Sequence, residues 1–299
     1  MVWLWGVLAC AGPPEGVDGP VAKVPSGFWD HWGDGRAELS AYALTTPRYG
    51  ELRRGEAVHI WVTETFTHGQ RVKSDGGHPD EYPVIKLNDS REFQTGIYDY
   101  DVMTSVFSRL DGGAPLGEPV KVSMSMAEWC GHVYEQLMPT DAGLVWHAHS
   151  YFDGEADRQT PLPRHRDGLV GDAAPLVARG LAGPWVGPGE QAKVDWLPTL
   201  VHGRVAHVAP TWGEATLSRS ASVETVQVPA GSYEVRRFTV TAPEHRTTWF
   251  VEEAPPHRIV RWERSDGEVA ELTGSQRVPY WTKNAEGDEA LLAPLGLTP

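Results

Sequence analysis

The sequence predicts a mainly β protein: one large, curved antiparallel sheet, half-open like an unclosed barrel. Three observations lead there. Apolar residues recur at every second position in successive short runs. Gly, Pro and Asp-Gly punctuate the gaps between those runs. The gaps are also too short for the helical crossovers that parallel strands need. The chain of 299 residues carries 13 tryptophans, a residue suited to half-buried β surfaces and to concave sites with one wet edge.

In chain order, the folded part is expected to begin near Phe28-Trp29-Asp30-His31-Trp32. Val58, Ile60 and Val62 alternate with His59, Trp61 and Thr63, as on a strand with one face buried. The stretch 98–110 is rich in β-branched and aromatic residues. Val120, Val122, Met124 and Met126 then alternate with Lys121, Ser123 and Ser125, and Leu144, Trp146 and Ala148 alternate with Val145, His147 and His149. One segment, 167–182, reads as a short helix. Its Ala, Leu and Val fall at helical spacing, and Pro175 with its glycines limits its length. The C-terminal third returns to strands over 222–228, 232–241, 247–253, 257–264 and 268–273. Ser265-Asp266-Gly267 is the strongest hairpin signal among their connections. Residues 26–299 are therefore expected to form one β-rich domain, with a sub-boundary at 183–189 as the alternative division.

Charge excludes one class of partner. The chain has 26 basic and 40 acidic residues, a formal net charge of −14, and no Lys/Arg cluster that offsets it. Binding to nucleic acid needs a basic surface, so that role is disfavoured. After the first ten residues no apolar run is long enough to cross a bilayer as a helix.

Two clusters offer chemistry. His147-Ala-His149 would place two rings on one face of a strand, where they could share a metal ion with ligands such as His59, Cys130 or His132. A polar outer face explains the same pattern. Glu128-Trp129-Cys130-Gly131-His132 offers a nucleophile and a base. Residues two apart on a regular strand are about 7 Å apart, so a direct Cys130–His132 dyad needs a bulge at Gly131. An inert structural cysteine is the alternative. Asp153-Gly-Glu155-Ala-Asp157 reads as a solvated hairpin tip rather than a calcium loop. Tyr98-Asp99-Tyr100-Asp101 fits an amphipathic strand as well as a sugar or cation site. The phosphate-loop, dinucleotide, G-x-S-x-G and H-E-x-x-H motifs are missing, and no cofactor is implied. Trp61, Trp129 and Trp146 are expected to line a ligand-binding concavity.

Three resemblances add to this reading. Val7-Leu8-Ala9-Cys10, closing an apolar run and followed by a Pro/Gly-rich stretch, resembles the cleavage box of bacterial lipoproteins. It implies a signal segment 1–10, acylation of Cys10, a flexible tether over 11–25 and a lipid anchor at the outer membrane, facing the periplasm. The basic leader of that family is missing before Lys23, and an apolar first strand with a buried cysteine is the other reading. The runs 228–239, 248–252, 256–262 and 267–272 resemble a family of periplasmic β-domains of unknown function. That family is similar to periplasmic lipoprotein carriers, whose half-open barrels wrap apolar ligands. The N-terminal half, with FWDHWGDGRAEL and EWCGH, resembles bacterial lipoproteins, some labelled septum-formation inhibitors. No α/β pattern or basic nucleotide site here supports that activity. Together they imply a non-enzymatic envelope lipoprotein that binds an apolar ligand, a lipid or another envelope protein. A periplasmic hydrolase or metal-dependent enzyme using Cys130 and nearby histidines is the alternative.

Overall fold

The structure, a computed structural model, describes residues 24–181 and 185–298. The expected lipid-attachment segment 1–10, most of the tether and residues 183 and 184 of the expected sub-boundary lie outside the described residues.

Sixteen strands form one open sheet. The N-terminal half is a meander of eight: β1 (Ala37–Arg48), β2 (Glu51–Thr67), β3 (Glu81–Thr95), β4 (Tyr98–Arg109), β5 (Lys121–Glu128), β6 (Gly131–Thr140), β7 (Gly143–Ser150) and β8 (Arg158–Pro163). The C-terminal half supplies β9 (Gly168–Val170), β10 (Gln191–Leu197), β11 (Gly213–Arg219), β12 (Glu224–Val228), β13 (Gly231–Thr241), β14 (Arg246–Glu252), β15 (Ile259–Arg264) and β16 (Val269–Val278). The halves join where β1 pairs with β16. The main path runs from β8 to β1 and then from β16 back to β9, with β12 paired to β13 off that path. The mainly β, antiparallel expectation holds with one correction. Short β9 runs parallel to β10, so the sheet is mixed.

Local sequence explains the tight connections. Tyr49-Gly50 joins β1 to β2 with both residues at positive φ (55° and 75°), the two-residue geometry that matches strand twist. At the Asp266-Gly267 turn, Gly267 takes φ 98° and the Asp266 carboxylate accepts the Glu268 N–H at 3.3 Å.

The expected helix over 167–182 is corrected in detail. Its start is strand β9, followed by a 3₁₀ turn at Gly171–Ala173 and only then by α2 (Ala174–Ala178). Two further α-helices among the described residues were not legible. They are α1 (Phe28–Trp32) and α3 (Leu200–Ala206), too short to show a period. Thr199 caps α3 by accepting the His202 N–H at 3.2 Å. The β9–α2 segment fills the hollow of the sheet. Leu169, Val170, Ala173, Ala174, Leu176, Val177 and Ala178 are each 1% exposed or less. Leu169, Val170, Leu176 and Val177 each contribute about 1.5–3 kcal/mol of burial, which helps hold this plug in place.

The plug is also tied by charge. Arg179, at its end, donates to both Glu38 carboxylate oxygens on β1 (2.7 and 3.2 Å) and to the carbonyls of Pro256 and His257 (both 2.9 Å). Its guanidinium lies 4.5 Å from the centre of the Trp61 ring. Burial alone would push the Glu38 carboxyl up, but the Arg179 charge and hydrogen bonds from His31 and Arg179 hold it down at about 2.

Candidate functional site

Strand register builds the site. One row crosses seven strands of the inner face: Ser40, His59, Asp89, Thr104, Met124, Glu135 and Ala148. A second row runs from Leu44 on β1 across the seam into the C-terminal half, through Ala270, Trp262, Trp249 and Phe238. The sheet curls enough to stack His59 of the first row on Trp262 of the second, with centroids 5.0 Å apart and an interplanar angle of 4°.

Between these rows and the plug lies a cavity of about 110 Å³. Trp196, Trp249 and Trp262 wall it, with Leu87, Val106 and Val240. Val201 and His202 bring α3 over it. A second cavity of about 90 Å³ adjoins it and shares Arg91, Val201, His202 and Glu268 with it. It continues toward Tyr100, Met126 and Val205. The hollow is therefore mostly plugged, yet it keeps an aromatic-walled space beneath α3.

One side of that space is ionic, and each of the ions there has a partner of opposite sign. Arg91 pairs with Asp89 at 2.8 Å and with Glu268 at 3.1 Å. Arg264 reaches Asp266 at 2.8 Å and Glu268 at 3.0 Å. Glu268 also accepts from Trp262 Nε1 and Thr46 Oγ1, each at 2.9 Å. Burial works against the charges of Asp89, Arg91, Asp266 and Glu268. Arg91 overrides it to keep Asp89 low, and Arg91 with Arg264 keeps Glu268 low. Asp89 and Glu268 in turn raise Arg91.

Two groups in the cavity lining lack such compensation. His59 is 1% exposed, and burial pushes its ring down to about 4 despite the nearby Asp89, so it is neutral at pH 7. Its Nε2 is 3.6 Å from Asp89 Oδ1, beyond hydrogen-bond range, and its Nδ1 is buried with no partner. Asp172, in the 3₁₀ turn that packs on β4, is the second. Burial pushes its carboxyl up to about 7. The Leu200 N–H, donating at 3.2 Å, pulls the other way, and the charges of Glu135 and Asp89 add to the rise. Glu135 is raised to about 7 as well, by burial, although it accepts the Trp146 indole N–H at 2.8 Å. It lines the clefts beside Leu200 and Gly203 of α3.

The residues singled out from sequence lie mostly elsewhere. Cys130 is exposed in the β5–β6 turn, where a hydrogen bond to Glu128 and that carboxylate's charge push the thiol up, away from a reactive thiolate. His132 is exposed on the outer face. His147 and His149 share the outer face of β7, opposite buried Trp146 and Ala148, and His149 Nδ1 contacts Asp157 at 2.9 Å. Among the described residues, no group of three or more His, Cys, Asp or Glu side chains is placed to hold a metal ion. Strand alternation is the physical reason: it sends the His-x-His pair outward with nothing on a neighbouring strand to complete a set. Trp61 and Trp146 do point inward, but Trp61 is packed under Arg179 and Trp146 faces Glu135. Trp129 is 70% exposed and donates to Asp99 at 3.0 Å. The tryptophans that wall the cavity are Trp196, Trp249 and Trp262. Trp249 and Trp262 fell within expected strands and Trp196 within none, and no local signal paired them with one another. Asp172 carried no signal at all.

No family profile and no curated protein matches the sequence. Among solved structures the chain is similar to a DUF1089-family protein of Pseudomonas aeruginosa, at 9% identity and a TM-score of 0.34, covering 56% of this chain and 79% of that one.

Proposed function

We propose that this chain binds a small, uncharged amphipathic molecule in the cavity beneath α3. The observation that carries the reading is the pairing of three tryptophan walls with the neutral ring of His59 in the lining of one cavity. Aromatic faces suit an apolar body, and a neutral imidazole in the lining suits the hydrogen-bonding end of a ligand. Asp89, Arg91, Arg264, Asp266 and Glu268 each already have a partner of opposite sign, so a charged ligand would find no free counter-ion among them, which is unfavourable. The lipoprotein-like segment ending at Cys10 supports an anchor at the outer membrane on the periplasmic side, which would hold such a cavity close to lipid. Intact mass and membrane fractionation of Cys10→Ser beside the wild type test that placement.

The cavity reading is tested with N-phenyl-1-naphthylamine, an uncharged apolar fluorophore, followed by energy transfer from the tryptophans. Val201 is only half-buried and lines both cavities. Val201→Trp fills the space from α3 while leaving the sheet intact. Saturable binding by the wild type, weakened more than about tenfold in Val201→Trp at unchanged circular dichroism, is the expected result. Equal binding by the two proteins would refute the site.

A further inference from the structure

We propose that the cavity is also a proton-transfer site, in which Asp172 moves a proton on a neutral amphiphile whose carbonyl oxygen is held at His59; this rests on the binding role above. The placement argues for it. Asp172 hangs over the row formed by His59, Asp89, Thr104 and Glu135, and lines the same cavity as His59. A buried carboxyl supported through a neighbouring backbone N–H is unusual, because such groups are normally paired with a cation or exposed. Arg91 and Arg264, the arginines in the same lining, are already taken by Asp89, Asp266 and Glu268. Asp172 is thus left facing enclosed, tryptophan-walled space with its proton affinity set close to neutrality. The groups that bear on it are the charges of Asp89 and Glu135 and the Leu200 N–H, with His59, Arg91 and His202 lining the same space.

The chemistry follows from that arrangement. The Asp172 carboxylate takes a proton from the carbon next to a ligand carbonyl. The C–H bond breaks, an O–H bond forms on Asp172, and the electron pair shifts onto the carbonyl oxygen. His59 is neutral and neither of its nitrogens is committed to a protein partner. With its proton on Nε2, the tautomer that the Asp89 carboxylate 3.6 Å away favours, it donates to the developing oxyanion. Where the ligand carries a carbon–carbon double bond beyond that carbon, Asp172 returns the proton to the far carbon of the bond: the O–H bond on Asp172 breaks, a C–H bond forms, the carbonyl re-forms and the double bond moves into conjugation with it. The net change is an isomerisation, so no oxidant, reductant or cofactor is consumed.

The probe is 5-nitrobenzisoxazole. A base removes its ring proton, the electron pair forms a nitrile, the N–O bond breaks, and a coloured phenolate is released. Binding is read separately, from quenching of tryptophan fluorescence. The wild type should release phenolate saturably above the buffer rate, with a rate–pH midpoint near 7, the value held by Asp172. Asp172→Asn keeps an acceptor for the Leu200 N–H and should retain quenching but lose at least about tenfold in rate. Asp172→Ser should do the same. His59→Phe preserves the stack on Trp262, and should lower the rate without moving the midpoint. Quenching with turnover unchanged in both Asp172 variants, or with none in the wild type, would overturn the proton-transfer site and leave the binding role standing. Neither quenching nor turnover would overturn both.

Discussion

Replacing Glu38 with Gln removes the carboxylate that ties the plug to β1. Glu38 and Arg179 are 2% and 0% exposed at their side chains, so solvent does not screen them. The Glu38 carboxyl lies at about 2 in the folded protein against an ordinary 4.5. At about 1.4 kcal/mol per unit, that difference corresponds to about 3 kcal/mol. Breaking one side of a buried pair costs a similar amount, about 3–5 kcal/mol, because the survivor is left charged and unpaired. The folded value is depressed, so this stabilisation is complete above pH 4.5 and is lost as pH falls through about 2. Urea unfolding at pH 7 should therefore show Glu38→Gln and Arg179→Met each destabilised by about 3 kcal/mol. The double variant should lose much less than the sum, since it leaves no lone charge. Between pH 4.5 and 2 the wild type should lose stability more steeply than Glu38→Gln. Single losses below about 1 kcal/mol, or full additivity in the double variant, would refute the claim that this pair holds the plug.

Asp172 predicts the opposite sign. Its carboxyl is raised from 3.8 to about 7, so the folded state is penalised above pH 7 and relieved as pH falls toward 3.8. Asp172→Asn should exceed the wild type by about 2–4 kcal/mol in urea at pH 8, and the two should converge near pH 4. Cys130 should alkylate completely in the native protein but more slowly than a simple thiol. Glu128→Gln should speed the reaction at pH 8 several-fold, because Glu128 raises the thiol. Native protection of Cys130 from iodoacetamide would contradict its place in the turn.

Much of the sheet could be read directly. Residues 120–126 and 144–148 alternate cleanly, and they fold as β5 and β7 with the expected apolar sets inside. Pro and Gly punctuation likewise separated β12 to β16. Around Val58–Thr63 the alternation was visible but ambiguous. Both sets contain large apolar groups, and packing against Trp262 and Arg179 turned His59 and Trp61 inward. The site was much less legible because register makes it. His59 meets Asp89 and Trp249 meets Trp262 across strands, and a pattern of period two does not say which strands are neighbours. Asp172 belongs to a segment whose Ala, Leu and Val spacing suggested a short helix. Only its passage through the hollow buries that carboxyl. Chemistry-bearing side chains that were conspicuous in sequence, Cys130 and His149, lie in turns and on the outer face, where local pattern is easiest to see and the fold encloses least.

The most direct measurement is diffraction from crystals soaked with a bromine-labelled long-chain alcohol, locating bromine by its anomalous signal. The account predicts a peak beneath α3, among Trp249, Trp262 and Val201, that disappears in Val201→Trp. A peak found only on the outer surface, with the cavity empty at saturating alcohol, would contradict it.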